Sequence, residues 1–275
     1  FDDATLASKE RELTLTGKDC GMPQRAPMCG VPYHAASTYI TRLIEKGYKV
    51  AICEQLTDPA TAKGLVERGV IRIVTPGTVV DSAMLDEKSN SYVLCVAFFT
   101  REASLCYADV STGEMVVHLL PDAEKTLKDE LCRIAPHEII TNDEERLHPY
   151  LTDAVAVTQF TASAFEHARA KEALLVHFGV PSLTSLGLEP RDKRITAAGA
   201  LMRYLSETQK NSLEHITHII PYQGASSMYL DRATRRNLEL TESLRSGERR
   251  GSLLWLLDQT STAMGARLLR SWVEA

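Results

Sequence analysis

The order of apolar and polar residues in the first third of the chain predicts a small α/β unit. Apolar side chains recur at helical spacing through residues 36–46, and Gly47 is suited to end that helix. Residues 50–53 predict a buried strand, and residues 70–74 predict a second strand that is rich in β-branched residues. The second strand leads into residues 75–78, a Thr-Pro-Gly-Thr sequence that predicts a tight turn.

The middle of the chain has a different pattern. Residues 92–99, 103–110 and 114–120 are apolar runs separated by short polar turns, which predicts a three-stranded antiparallel meander. Helices and strands then alternate, and this order predicts an α/β sheet of ribonuclease-H-like topology. The predicted elements are a helix that Asp122 caps and Pro136 ends, strands over 137–141 and 154–160, and a helix that opens with a capping box of Ser163 and Glu166 and stops at Gly179.

The last third is predicted to be helical. Residues 195–205 carry one apolar stripe, and Asp231 is suited to cap a further helix that carries Leu238 and Leu240. Apolar residues continue at helical spacing to the end of the chain. Residues 81–90 are polar and lack periodicity, so they predict a linker between the first and middle parts.

Composition narrows the class of protein. The chain has 275 residues, of which 44% are apolar and 24% charged, as in ordinary soluble proteins of about two domains. No apolar run reaches the ~18 residues of a transmembrane helix, and the acidic N-terminus does not resemble a signal peptide. We therefore expect no membrane partner.

The cysteines and histidines predict neither disulfides nor a metal site. No two of the six cysteines form a C-x-x-C pair. Cys53, Cys95, Cys106 and Cys132 lie in apolar runs, which predicts small buried side chains in a reducing compartment. The pair His215 and His218 lies in an apolar stretch without an evident third ligand.

The net charge of −5 is unevenly distributed. Residues 1–80 carry +1, residues 81–190 carry −10 and residues 191–275 carry +4. The middle part should repel phosphates and suits protein partners, whereas the flanking parts are free to approach a polyanion. The densest basic clusters are Arg232, Arg235, Arg236 and Arg245, Arg249, Arg250. The alternative is a solvated helix face that pairs with Glu239, Glu242 and Glu248.

No catalytic motif is evident. The chain contains no G-x-x-x-x-G-K-[ST], G-x-G-x-x-G or G-x-S-x-G sequence. Asp109 is a candidate metal-binding carboxylate, because ribonuclease-H-like nucleases gather several carboxylates around two metal ions. However, residues 92–99 contain no acid, so residues 109–113 are better explained as a hairpin turn. A metal-dependent nuclease and a protein-interaction module without a DNA role remain the alternative functions.

Three stretches carry a more specific signal. The first stretch is Pro-Met-Cys-Gly-Val-Pro-Tyr-His-Ala at 27–35, which is followed by residues 50–55 and 72–78. The second stretch is Leu-Asp-Arg-Ala-Thr-Arg-Arg-Asn-Leu-Glu-Leu at 230–240. The third stretch spans residues 252–272. In this order and spacing they resemble the MutS family of bacterial DNA mismatch-repair proteins along the whole chain. Cys29 is a mild departure, because the family usually has alanine there.

The resemblance implies a mixed α/β protein in three parts. Residues 1–80 would be most of a small α/β mismatch-recognition domain, with 81–90 as linker. Residues 91–225 would be a ribonuclease-H-like connector domain that is not a nuclease. Residues 226–275 would begin an all-α core and lever domain.

The resemblance also implies what this piece does and does not do. The family's Phe-x-Glu motif, which reads the mispaired base, would lie just before Phe1, and the ATPase would lie beyond Ala275. We therefore expect a non-catalytic piece without a cofactor, from a DNA-binding protein whose full-length form uses ATP and Mg²⁺. The resemblance further implies a homodimer of full-length chains, a MutL-type partner on the connector, and a cytoplasmic, nucleoid-associated location.

The remaining DNA contact is expected around residues 25–34. Gly30 and Pro32 are expected to shape a backbone that lies close to the DNA. Apolar contacts are expected from Met28, Val31 and Tyr33. Phosphate contacts are expected from Arg25 and His34. The alternative is a tight turn before the predicted helix, with Met28 and Val31 in the core.

Overall fold

A computed structural model describes residues 2–11, 13–21, 23–57, 66–79, 90–151, 155–210, 213–222 and 230–274. Over these residues the chain forms two small two-stranded sheets with two helices, a six-stranded sheet with its own helices, and three C-terminal helices. The mixed α/β class expected from the sequence is confirmed. The predicted linker at 81–90 lies almost wholly outside the described residues.

The N-terminal part is built from two antiparallel strand pairs. Its elements are α1 (Asp2–Arg11), β1 (Leu15–Lys18), β2 (Ala26–Cys29), a 3-10 helix (Tyr33–Ala35), α2 (Ala36–Ile44), β3 (Val50–Gln55) and β4 (Arg68–Val74). β1 pairs with β2, and β3 pairs with β4. A small core forms where Ile44 of α2 meets Val74 and Val79. The predicted helix and both predicted strands are confirmed.

One expectation about this part is wrong. β3 was expected to be a buried strand, but Ala51 and Cys53 are exposed. The physical reason is that β3 belongs to a sheet of only two strands, in which one face packs on the Ile44 core and the other is open. Cys132 is also only half-buried, so the expectation of burial holds for Cys95 and Cys106 alone.

The middle part is a six-stranded sheet in the order β10-β7-β6-β5-β8-β9. Its elements are β5 (Tyr92–Phe98), β6 (Ala103–Asp109), β7 (Glu114–Leu120), α3 (Ala123–Ile134), β8 (Glu138–Thr141), α4 (Glu144–Leu147), β9 (Ala156–Gln159), α5 (His167–Phe178), α6 (Arg194–Gln209) and β10 (Ile220–Pro221). β5, β6 and β7 form the predicted antiparallel meander, and β8 and β9 run parallel to β5. This is the predicted ribonuclease-H-like arrangement.

Alternation along the strands divides the core into two layers. In β5, Val93 and Cys95 face a layer that contains α5 and α6, whereas Leu94 and Val96 face a layer that contains α3 and α4. Both faces are covered, so every residue of β5 is buried. The sheet is therefore the rigid centre of the described chain.

One predicted helix start and one predicted capping bond differ from the structure. Residues 162–165 form a separate 3-10 helix, and α5 begins one residue after Glu166, so Ser163 is not its cap. Glu166 pairs instead with Arg169. Asp122 does occupy the N-cap position of α3, but its carboxylate pairs with Arg101 and Lys125 rather than accepting from a helix amide.

The C-terminal part consists of α7 (Arg232–Asn237), α8 (Leu253–Leu257) and α9 (Ala263–Glu274). Asp231 caps α7 as predicted, because its carboxylate accepts from the Thr234 amide at 2.7 Å. The helix ends before Leu238 and Leu240, which corrects the expected extent. Glu239 has a φ of 48°, a left-handed conformation that stops a right-handed helix.

None of the described helices is both long enough and apolar enough to span a membrane.

The contact between α5 and α6 depends on Gly199. A Cβ at this position would overlap the backbone of Ala170, so only glycine allows the two helices to approach so closely. We expect Gly199→Ala to lower the free energy of unfolding by about 1–3 kcal/mol through overpacking. Chemical denaturation checks this. Gly30→Ala is the control, because a Cβ there meets no atom within 4 Å and should cost far less.

Candidate nucleic-acid interface

Residues 25–34, called the contact segment below, form an exposed surface of the N-terminal part. The segment starts just before β2, includes that strand and runs into the 3-10 helix. Tyr33 is 91% exposed, Met28 43% and Val31 38%. The alternative that Met28 and Val31 are core residues is therefore wrong. Arg25, Gly30, Pro32 and His34 are exposed as well.

Local hydrogen bonds hold the contact segment in this shape. The Thr16 hydroxyl donates to the Met28 carbonyl at 2.9 Å, and the Cys29 thiol lies 3.1 Å from the Ala4 carbonyl. The Ala35 amide donates to the Pro32 carbonyl at 3.0 Å and starts the 3-10 helix. The backbone is thus fixed on both sides of the exposed apolar residues.

The chemistry of the contact segment suits a nucleic-acid groove. An aromatic ring and two apolar side chains project from one short stretch, and the guanidinium of Arg25 and the imidazole of His34 lie near its ends. Exposed apolar side chains of this kind can wedge against base steps, while cations contact phosphates. The structure leaves all seven predicted residues accessible.

The first basic cluster lies on α7. Arg232 and Arg236 are exposed, and the structure gives neither an ion pair with any described carboxylate. Arg235 is half-buried, and its guanidinium donates to the backbone carbonyls of Leu230 and Glu274. The α7 arginines are therefore not a solvated face paired with nearby acids.

A cavity of about 430 Å³ brings these arginines together with two that the sequence did not single out. Arg133 of α3 and Arg270 of α9 line it beside the α7 cluster. Arg133 is paired with Glu130 at 2.8 Å. Burial opposes ionisation of Glu130, but His118 and Arg133 lower its pKa to about 2. The positive charge of Arg133 is therefore already balanced by the negative charge of Glu130.

The second basic cluster is only partly free. Arg249 is paired with Asp258, whereas Arg245 and Arg250 are exposed. Glu239, which the alternative interpretation paired with the basic clusters, accepts from the Leu244 amide at 2.6 Å. That alternative is thus wrong for Glu239.

Asp109 performs the structural role expected of a hairpin residue. Its fully buried carboxylate accepts from the Ser111 amide at 2.8 Å and the Ser111 hydroxyl at 2.6 Å. The Ser91 amide is 3.3 Å away, and Gly113 completes the turn with a φ of 78°. Arg267 of α9 reaches the same turn, 2.8 Å from the Ser111 hydroxyl.

The two histidines of the His-x-x-His sequence have separate neighbours. Nε2 of His215 lies 2.7 Å from the Val110 carbonyl, and Nδ1 of His218 lies 3.1 Å from the Thr217 hydroxyl. Within the described part of the chain, no group of three or more potential metal-ligating side chains comes together.

A buried carboxylate joins the N-terminal part to the six-stranded sheet, and sequence reasoning missed it. Glu138 of β8 is fully buried and accepts from the hydroxyls of Thr75 and Tyr204, each at 2.5 Å. Lys49 lies 3.0 Å away and pairs with the same carboxylate. We call these four residues the Glu138 joint. Burial, with the charge of Glu138, raises the pKa of Tyr204, so its hydroxyl stays a donor.

The turn at 75–78 is part of this contact. It was expected to be a plain turn, and it is one, since the Thr78 amide donates to the Thr75 carbonyl at 3.1 Å. Both threonines are fully buried, however. A Cβ on Gly77 would come within 2.9 Å of the side chains of Glu138 and Val93, so glycine is needed where the turn touches the sheet.

Comparison with known families accounts for almost the whole chain. Models of MutS domain I, domain II and domain III match residues 1–83, 91–217 and 233–275, in that order. The chain belongs to the MutS family. The resemblance inferred from the motifs at 27–35, 230–240 and 252–272 is thereby confirmed.

Relatives named DNA mismatch repair protein MutS align with the full chain. Those of Lachnoclostridium phytofermentans, Symbiobacterium thermophilum and Ruminiclostridium cellulolyticum are 49%, 48% and 46% identical to it. The alignments cover 100% of this chain but 30–32% of each relative. The chain therefore spans about a third of the length of these MutS proteins.

The role of Asp109 can be tested directly. Asp109→Asn removes a buried charge that accepts several hydrogen bonds, so we expect a loss of about 1–3 kcal/mol in the free energy of unfolding. Asp19→Asn is the matched control, because Asp19 accepts from the Gly21 amide in the same kind of turn but is exposed. Magnesium-dependent DNA cleavage by the wild type that disappears in Asp109→Asn would instead support a nuclease.

Proposed function

We propose that this chain is the DNA-contacting, non-catalytic N-terminal portion of a protein that binds mispaired or unpaired bases in duplex DNA and initiates their repair. The observation that carries the proposal is the exposure of Met28, Val31 and Tyr33 in residues that match MutS domain I. Large apolar side chains rarely project together from one short, rigid segment unless they meet a partner.

The physics of mismatches suits such a segment. A mispaired step stacks poorly, so bending and unstacking the duplex there costs less than at a paired step. A protein that inserts an apolar wedge from the minor groove therefore selects sites by low deformation cost. Tyr33 is the best-placed wedge or stacking group, with Met28 and Val31 beside it. Arg25 and His34 would contact the flanking phosphates.

The basic clusters would add contacts that do not depend on sequence. Arg232 and Arg236 are exposed and have no carboxylate partner among the described residues, so their charges are available to a phosphate backbone. Arg245 and Arg250 are exposed as well. Arg235 and Arg249 are engaged within the protein, and they would mainly hold in place α7 and the loop that precedes α8.

The proposal assigns a different role to each part of the chain. We place the recognition domain at 1–80, the linker at 81–90, the connector at 91–225 and the start of the helical core at 226–275. Residues 81–190, which include most of the connector, carry a net charge of −10, and this suits a MutL-type protein partner rather than DNA. ATP, Mg²⁺ and homodimerisation belong, in this proposal, to the full-length protein, which would act in the cytoplasm near the nucleoid.

Two alternatives have less support. A nuclease needs carboxylates that are free to hold metal ions, but hairpin donors already occupy the Asp109 carboxylate. A protein-interaction module without a DNA role would have a buried contact segment and a fully paired α7 cluster, and neither is found in the described residues.

DNA binding by the contact segment predicts two separable effects. Loss of aromatic stacking in Tyr33→Ala should weaken duplex binding about tenfold, since stacking on an aromatic ring is worth about 1–3 kcal/mol per base. Loss of one phosphate contact in Arg25→Gln should reduce the slope of log affinity against log salt concentration by about 0.9. Fluorescence anisotropy with a labelled duplex at several salt concentrations measures both.

The control is Val176→Ala, which truncates an exposed apolar side chain on α5 and should leave the affinity unchanged.

We expect weak binding with little preference for a mispaired duplex, because no Phe-x-Glu sequence occurs in these 275 residues. Binding that Tyr33→Ala and Arg25→Gln leave unaltered would refute the assignment of the contact segment.

A further inference from the structure

We propose that Glu138 is a positioning residue that fixes the orientation of the contact segment relative to the six-stranded sheet. The inference rests on the proposed function only for what the contact segment binds. The orientation itself is a property of the protein alone.

Two elements of the N-terminal part meet at Glu138. Lys49 directly precedes β3 and Thr75 directly follows β4. Because Val50 pairs with Val74, Lys49 and Thr75 lie side by side at one end of the hairpin. A single carboxylate therefore holds both strands at the same end, which restrains rotation better than a contact to one strand.

Three elements of the middle part meet at the same place. Glu138 lies at the start of β8, Tyr204 projects from α6, and Thr158 of β9 receives the Lys49 ammonium at 2.8 Å. The ammonium also donates to the Tyr204 hydroxyl at 2.9 Å and lies 5.1 Å from the centre of its ring. Lys49 is thus anchored to the sheet by several groups besides Glu138.

The carboxylate geometry permits one arrangement of these partners. Oε1 takes the Tyr204 hydroxyl and the Lys49 ammonium, and Oε2 takes the Thr75 hydroxyl, with the Gly77 amide 3.4 Å away. Hydrogen bonds are directional, and an unpaired buried charge is strongly disfavoured. A small rotation of the N-terminal part would therefore break several bonds to a fully buried carboxylate at once.

The orientation is carried to the contact segment by a rigid element. The contact segment leads through the 3-10 helix into α2, which has nine residues and a length of about 13 Å. At the far end of α2, Ile44 packs against Val74, next to Thr75. The hairpin and α2 therefore move together, and Glu138 sets the direction of both.

Pulsed electron spin resonance on the whole 275-residue chain tests this inference without DNA. One spin label is placed on the exposed Cys53 of β3 and the other on Val176→Cys of α5, which is also exposed. The other accessible cysteines are replaced by serine: Cys20, Cys29 and Cys132. In the parent protein we expect one narrow distribution of distances between the labels.

Lys49→Met should widen this distribution at least twofold, because methionine keeps part of the apolar stem but cannot donate to Glu138. Glu138→Gln should do the same, since an amide carries no charge to hold the ammonium. Lys46→Met is the matched control, because Lys46 pairs with Glu10 inside the N-terminal part, and it should leave the width unchanged.

An unchanged width in both Lys49→Met and Glu138→Gln would overturn the proposal. A residue that only stabilises the fold would lower the unfolding temperature and leave the width as it was, so that result also contradicts a positioning role. If Glu138→Gln fails to fold, Lys49→Met still decides, because the Lys49 side chain is 35% exposed. Failure of the chain to bind DNA would leave this result standing and refute only the proposed function.

Discussion

A buried carboxylate needs partners, and the architecture around Glu138 follows from that need. The sheet places this acid at the start of β8, where no water reaches it. A charge in such a place costs several kcal/mol unless cations and hydrogen-bond donors surround it. The hairpin of the N-terminal part supplies Lys49 and Thr75, and α6 supplies Tyr204. The N-terminal part is therefore held by a polar contact whose loss would expose a charge.

A polar contact of this kind fixes the relative orientation of two parts more strictly than an apolar contact does. Apolar contacts are non-directional, whereas four directed donors fit one carboxylate in one arrangement. Once separated, Glu138 and Lys49 are charged groups that water hydrates readily. Such a contact combines a defined geometry with groups that tolerate water, and in the proposed function this suits a domain that approaches and leaves DNA.

The sequence predicts the parts of this molecule that depend on local pattern. The meander of β5, β6 and β7 was predictable because each strand is an apolar run bounded by short polar turns. The Ser163 capping box failed because the same local pattern also fits a 3-10 helix followed by a later helix start. The Glu138 joint could not be predicted, since Thr75 and Tyr204 lie 63 and 66 residues away from Glu138 along the chain. An acid within an apolar strand was the single local signal.

The contact segment shows where local reasoning stops. Apolar residues at Met28 and Val31 fit a core and a binding surface equally well. The structure decides between them, because Met28 lies in a two-stranded ribbon and Val31 in the turn that follows it, and both side chains are exposed. What such a surface binds then depends on its chemistry. From that chemistry and from the family of the chain, we propose duplex DNA as the ligand of the contact segment and protein partners for the acidic middle part.

DNA binding by the contact segment is best tested by hydrogen exchange with and without a duplex that carries one unpaired base. At low salt, we expect slower exchange of backbone amides in residues 25–36 when DNA is present. We expect no change in the meander at 92–120, which lies in the acidic part. Protection confined to the middle part, or unchanged exchange in 25–36 under conditions where DNA is bound, would contradict the assignment of the contact segment.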